Sequence, residues 1–308
     1  MDKRLLTIQD ISCVGQCSLT VALPVISACG IETAILPSSV LSNHTAGFSA
    51  WTFRDLTDEM PNILDRWKKE NVDFDAFYTG YVSKAQIPHI LDIMNQVARP
   101  GALRIVDPVM GDNGKLYAGF DDDFPMEMRK LVNGADIILP NMTEAALLLG
   151  IPYQAGIYTQ KYIEKVLKDL YALGAKNVVL TGVSFEKGKL GVACYDGSKF
   201  DYYFTEHLDV AMHGTGDVYS SSFAGALMRG KSIIEAASIA ATLFVSQSAR
   251  HCQMPTIGMA LSLRRLCLTS STDFRNFVKI SHDEEDVAPV WDGIFFCWGG
   301  SWQLKVEN

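Results

Sequence analysis

Five residues, His213-Gly214-Thr215-Gly216-Asp217, set two glycines and one carboxylate directly ahead of a helix-like run over 218–228. Glycine admits backbone angles closed to other residues and lets a ligand approach the main chain. The first N–H groups of the following helix have no partner inside it, so the junction is suited to an anion. Asp217 is then the carboxylate placed to take a proton from whatever the amides hold. The same residues also read as a plain loop-to-helix junction capped by Asp217, and only the rest of the chain separates the two readings.

Three further stretches carry polar groups of the same kind. Asp107-Pro108-Val109-Met110-Gly111-Asp112-Asn113-Gly114-Lys115-Leu116-Tyr117 puts two carboxylates and glycines after an apolar run; it is a turn with capping aspartates or a metal or phosphate site. In Pro140-Asn141-Met142-Thr143-Glu144, either Asn141 or Thr143 can cap a helix and Glu144 can complete the cap. The segment 41–48, LSNHTAGF, is too polar for core and rich in donors, and its plain reading is a solvated loop.

The elements that must position these groups follow from periodicity. Strands are expected over 5–11, 32–36, 75–79, 103–106, 136–139 and 177–180. Helices are expected over 18–28, 54–71, 85–97, a short run ending at 149, 160–173, 218–228 and 233–249. Alternation of this sort makes a parallel sheet covered on both faces. Asp196-Gly197, between apolar runs at 189–195 and 200–204, signals a late antiparallel hairpin. Ligands of such sheets gather beyond the carboxyl ends of the strands, which places Asp10, Ser12 and Gly15 on the ligand side.

A formal net charge of -8 excludes nucleic acid or an anionic membrane as the main partner. The apolar stretch 236–245 is broken by Ser238 and Thr242 and is too short to span a bilayer; a cytoplasmic protein is expected. Seven cysteines without a CxxC pair read as mostly reduced, buried thiols, with Cys13 and Cys17 either reactive or small core fillers. One domain is expected over 1–253. Residues 254–308 change in texture, with an acidic patch at 283–286 and an aromatic end, and read as a docked extension or a disordered end.

In their order along the chain, SNHTAGF at 42–48, DPVMGDNGKLY at 107–117, LPNMTEAALLLG at 139–150 and HGTGD at 213–217 resemble the ribokinase-like superfamily of small-molecule kinases, and within it the pyridoxal (vitamin B6) kinases. The stretches 10–18 and 53–60 look most like a Gram-positive bacterial branch. The resemblance implies a three-layer α/β/α sandwich, a mostly parallel sheet with helices on both faces, and transfer of the γ-phosphoryl group of ATP to the 5′-hydroxymethyl group of pyridoxal, pyridoxamine or pyridoxine. By motif, Asp217 is similar to the family's general base, and the amides of Gly214, Thr215 and Gly216 would stabilise charge on the transferring phosphoryl group. Asn141 and Glu144 match a pair that helps to hold Mg2+. Asp107 and Asp112 match positions near the ATP phosphates, where a divalent ion, or K+ or another monovalent cation, is expected, with Asp107 and Glu144 as the metal-side carboxylates. Tyr117 and Thr181 match nucleotide positions, and Ser12, Thr45 and Tyr81 match positions that contact the pyridine ring. A homodimer is implied as well. Two alternatives stand beside this reading: a hydroxymethylpyrimidine kinase of thiamine synthesis, and a non-catalytic relative that only binds B6 or nucleotide.

Overall fold

A computed structural model describes residues 3–45, 48–207 and 214–251, all within one compact unit, Met1–Cys267. The chain opens with β1 (Arg4–Ser12), α1 (Leu19–Ala28) and β2 (Glu32–Leu41), then turns into the short strand β3 (Phe53–Asp55) and α2 (Met60–Lys69). Next come β4 (Phe74–Thr79), α3 (Ile87–Gln96), β5 (Ala98–Val106), the small strands β6 (Gly111–Asp112) and β7 (Lys115–Leu116), and α4 (Phe124–Val132). β8 (Ile137–Ile138), α5 (Met142–Leu149), α6 (Gln160–Tyr171) and β9 (Val178–Val183) follow. The hairpin strands β10 (Lys189–Tyr195) and β11 (Phe200–Glu206) precede α7 (Thr215–Met228) and α8 (Ile233–His251).

Nine of these strands form one sheet in the order β11-β10-β9-β8-β5-β4-β1-β2-β3. Its middle is parallel, while β3 and the β10–β11 hairpin run antiparallel at the two edges. Central strands of such a sheet are apolar on both faces, and accordingly Leu5, Leu6, Ile8, Ala76, Phe77, Ile105 and Val106 are fully buried. Helices α1, α7 and α8 pack together on one side, and α2 to α6 follow one another in contact. The expected α/β sandwich with a late hairpin is therefore the fold observed.

Two local expectations are corrected and a third is made specific. β2 continues to Leu41 rather than stopping at residue 36, because Pro37 still pairs with Gln9 and Val40 with Ile11 across a register shift. Arg54 and Asp55, expected in a helix, belong to β3, where residues 53–55 pair with 39–41 of β2; tertiary pairing overrides a weak local signal, and α2 starts only at Met60. The 107–117 stretch contains a hairpin, with Asn113 at φ 52 and Gly114 at φ 77 supplying the two positive angles of its turn. Residues 254–308, like His213, Ala46 and Gly47, lie outside the described residues. Among the described residues no helix is long and apolar enough to cross a membrane.

Candidate active site

The carboxyl ends of β1, β4 and β5 and the N-termini of α1 and α7 converge at one edge of the sheet. Helix α7 begins at Gly214, which takes φ 79 and has no side-chain cap. A Cβ at Gly214 would come within 2.2 Å of the Gln16 carbonyl oxygen, so this turn needs glycine both for its angle and for its approach to the loop before α1. In front of Gly216 a Cβ would meet nothing within 4 Å. The first amides of α7 have no partner within the helix, as an anion site requires.

Asp217 stands in the first turn of α7 and keeps part of its surface open. The backbone N–H of Ser18, the residue that begins α1 at the unusual φ of 49, donates to its carboxylate. Burial, helped by the charge of Asp10 and opposed by the Ser18 bond, pushes the Asp217 carboxyl up to about 6. A carboxylate in that range is ionised at neutral pH yet basic enough to accept a proton in a transition state.

Around it the structure assembles most of the expected residues. Ser12, at the end of β1, is buried and donates from its hydroxyl to Asp10 at 3.3 Å. Tyr81, after β4, is half-buried against Phe120 with ring centroids 5.1 Å apart. Its phenol is pushed up by burial, then by Asp10 and Asp55. Asp107, after β5, is buried and accepts the Ser220 hydroxyl of α7 at 2.7 Å. Burial raises its carboxyl, the Ser220 bond opposes the rise, and Asp217 adds to it. Tyr117, after β7, is 42% exposed; its phenol is pushed up by its partial burial, then by the charges of Glu144, Asp112, Asp107 and Asp217.

Glu144 has another setting. One oxygen accepts the Asn141 backbone N–H at 2.9 Å, the other the Met110 N–H at 3.2 Å, while the Asn141 side-chain oxygen accepts the Glu144 N–H at 2.9 Å. This is a capping box on α5, and Asn141 also donates from its amide to the Gly111 carbonyl at 3.0 Å. Burial, then the charge of Asp107, drives the Glu144 carboxyl well above its usual range despite those amides. Thr181 joins through a bridge to Asn141, its N–H donating to the Pro140 carbonyl at 2.9 Å. Among the described residues no group of three His, Cys, Asp or Glu side chains converges on one metal position. Hard oxygens from one or two carboxylates fit Mg2+, which keeps several waters and borrows the rest of its ligands from phosphates.

Two expected residues are not drawn in. Asp112 is exposed and its oxygens accept the Asn113 N–H at 2.8 Å and the Asn113 amide at 3.0 Å, which serves the hairpin turn. Thr45 is exposed at the surface. Cys13 is exposed and Cys17 half-buried; burial, with Asp217 and Asp10, pushes the Cys17 thiol up to about 12, so it is an inert thiol at neutral pH. Sequence reasoning passed over Ser220, which holds Asp107, and Ser18, which holds Asp217. The signal for Ser220 was its place three residues after Asp217, on the same face of a helix.

Residues 55–261 match the profile of the phosphomethylpyrimidine kinase family, well over half of the chain. The class is therefore a ribokinase-like kinase that transfers phosphate to a hydroxyl group. Pyridoxal kinase of Bos taurus is 31% identical over 234 residues, 68% of this chain and 71% of the bovine one. The crystal structure of pyridoxal kinase from Lactobacillus plantarum is similar with a TM-score of 0.80 at 34% identity, covering 90% of this chain and 97% of that one. A Bacteroides thetaiotaomicron protein described as a phosphomethylpyrimidine kinase, solved with pyridoxal, has a TM-score of 0.81 at 35% identity and covers 90% of this chain and 96% of that one. The chain belongs to the pyridoxal kinases of this family.

Proposed function

We propose that the chain phosphorylates the 5′-hydroxymethyl group of a B6 vitamer, pyridoxal, pyridoxamine or pyridoxine, with ATP as donor. The observation that carries the reading is Asp217, held by the Ser18 amide in the first turn of a helix that starts at Gly214 without a side-chain cap. In it, the carboxylate of Asp217 takes the hydroxymethyl proton as the oxygen becomes the nucleophile. The amides of Gly214, Thr215 and Gly216 stabilise charge on the phosphoryl oxygens. Tyr81 supplies an aromatic wall for the ring, and Ser12 lines the same pocket. Tyr117 and Thr181 border the nucleotide. Asp107, Asn141 and Glu144 would hold Mg2+, Glu144 through water because both its oxygens already accept backbone amides; the ion would neutralise phosphate charge. A monovalent cation such as K+ beside Asp107, a homodimer and a cytoplasmic site of action belong to the same reading, supported by the family.

The test is a turnover panel. Purified protein with Mg-ATP is given the three vitamers and hydroxymethylpyrimidine, and ADP release and the phosphorylated product are measured. Turnover of a vitamer ahead of the pyrimidine is expected. Turnover of the pyrimidine alone would replace the reading with the thiamine-pathway kinase, and tight vitamer binding without ADP release would make the chain a binding relative.

A further inference from the structure

Behind the acids of the site lies a set of buried hydroxyls that the mechanism above leaves idle. Tyr78 of β4 stands opposite Ile105 of β5, and the ladder runs on to Asp107, whose N–H donates to the Thr79 carbonyl at 3.0 Å. Residues opposite one another across a ladder share a face, and so do residues two apart along a strand. Tyr78 and Asp107 therefore point to the same side of the sheet. It is the side of α7, because Ser220 of that helix donates to Asp107 Oδ2 at 2.7 Å. Ser220 and its neighbour Ser221 are both buried there.

The Tyr78 phenol is fully buried, and its hydroxyl has no hydrogen-bond partner among the described residues. A buried tyrosine usually finds one, and a donor left without is costly to the fold. Burial, then the charges of Asp107 and Asp217, push the phenol well up, with the hydroxyls of Ser221 and Ser220 opposing the rise. The phenol thus keeps its proton and stays a donor close to both serines. Ser221 is itself without a partner. Ser220 gives its one proton to a carboxylate and keeps two lone pairs, and a hydroxyl that donates to an anion is polarised into a better acceptor. We infer that Tyr78 and Ser220 are positioning residues: the phenol donates to the Ser220 oxygen, Ser220 donates to Asp107 Oδ2, and this chain fixes the carboxylate with its other oxygen left for the cation. The inference rests on the reading that Asp107 helps to hold Mg2+. Groups behind a metal ligand orient it, and their loss typically weakens the metal about 10- to 100-fold.

Direct binding tests the chain of hydroxyls. Mn2+, in place of Mg2+, is titrated into the full chain with ADP, and free Mn2+ is read from its electron paramagnetic resonance signal. Wild type, Ser220→Ala, Ser220→Thr, Tyr78→Phe, Ser221→Ala and the Tyr78→Phe/Ser220→Ala double variant are compared after thermal melting shows that each folds. Ser220→Ala should weaken Mn2+ by about 10-fold or more, and Ser220→Thr, which keeps the hydroxyl, should restore most of it. Tyr78→Phe should weaken it by about 2- to 5-fold, the worth of a neutral hydrogen bond, and add nothing in the Ser220→Ala background. Ser221→Ala should bind as the wild type does. In turnover, Ser220→Ala should need more Mg2+ for half-maximal rate while kcat at saturating Mg2+ changes less. Wild-type Mn2+ affinity in Ser220→Ala, or a Tyr78→Phe penalty that persists in full without Ser220, would overturn the inference, as would a loss in Ser221→Ala equal to that in Tyr78→Phe. If Ser220→Ala does not fold, Tyr78→Phe decides: weaker Mn2+ supports the chain and unchanged Mn2+ overturns it. A wild type that binds no Mn2+ with ADP overturns the metal reading of Asp107 as well, whereas binding that no variant alters removes only the roles of Tyr78 and Ser220.

Discussion

Helices α5 and α7 start at the same edge of the sheet, each with an acid in its first turn, and the two starts are built in opposite ways. At α5, Asn141 takes an extended conformation, its side chain accepts the Glu144 amide, and Glu144 returns to the Asn141 amide. At α7, Gly214 takes the left-handed conformation and supplies no side-chain cap. A glycine at this position gives up only roughly a few tenths of a kcal/mol against a side-chain cap. The difference separates support from chemistry. Glu144 is tied to backbone on both oxygens and holds the 107–117 shelf in place, while Asp217 accepts the Ser18 amide in the first turn of a helix without a side-chain cap.

Removing the base is the strongest way to break this contrast. Asp217→Asn should lower kcat about 10²- to 10⁴-fold in the turnover assay, the usual worth of general base catalysis, without loss of fold. Its stability should even rise. A carboxyl whose folded value lies above its unfolded one binds its proton more tightly when folded, so its charge destabilises the folded state once pH exceeds the unfolded value. With Asp217 pushed up to about 6, the variant should melt above the wild type at pH 8, with the gap closing as pH falls towards the unfolded value. An Asp217→Asn protein that melted lower at pH 8 would assign the acid to structure.

Glu144→Ala should lower stability, in contrast to Asp217→Asn, and lower turnover with it through the loss of Mg2+ support. It leaves the Asn141 and Met110 amides without their acceptor, and each such loss costs about 1–3 kcal/mol, measurable by urea unfolding. Gly214→Ala comes next. The φ of 79 and the 2.2 Å approach to Gln16 leave a Cβ no room, and the shifted turn should lower kcat about 10-fold or more, as small misplacements in a site do. The smallest effect expected is on pH dependence. Because Asp217 must be ionised to act, kcat/KM should rise with pH through a value near 6 and level off above it. An acid limb near 4 would put the base in a better solvated carboxylate.

The legible and the hidden parts of the site differ by range. Capping boxes, hairpin turns and glycine-ended helices are local, so Asn141 with Glu144 and the 196–197 turn could be read from neighbouring residues. The start of α2 could not, since Arg54 and Asp55 are drawn into β3 by a strand some fifteen positions earlier in the chain. The same holds for Asp10: its distance from Asp217 in sequence hides an electrostatic influence that only the packing of α7 against α1, the helix after β1, creates.

The residue types and their order determined that this chain makes an alternating α/β fold and carries four polar motifs, among them an aspartate behind two glycines. Apolar periodicity and turn chemistry act over a few residues and are written directly in the sequence. What only the tertiary structure decided is which acids work. Burial and convergence hold Asp217 by the Ser18 amide, bind Glu144 to backbone, send Asp112 to the surface and bring the charge of Asp10 to the base. The affinity of a carboxylate for a proton or a ligand depends on the groups that surround it in space, and those come from strands and helices far apart in the chain.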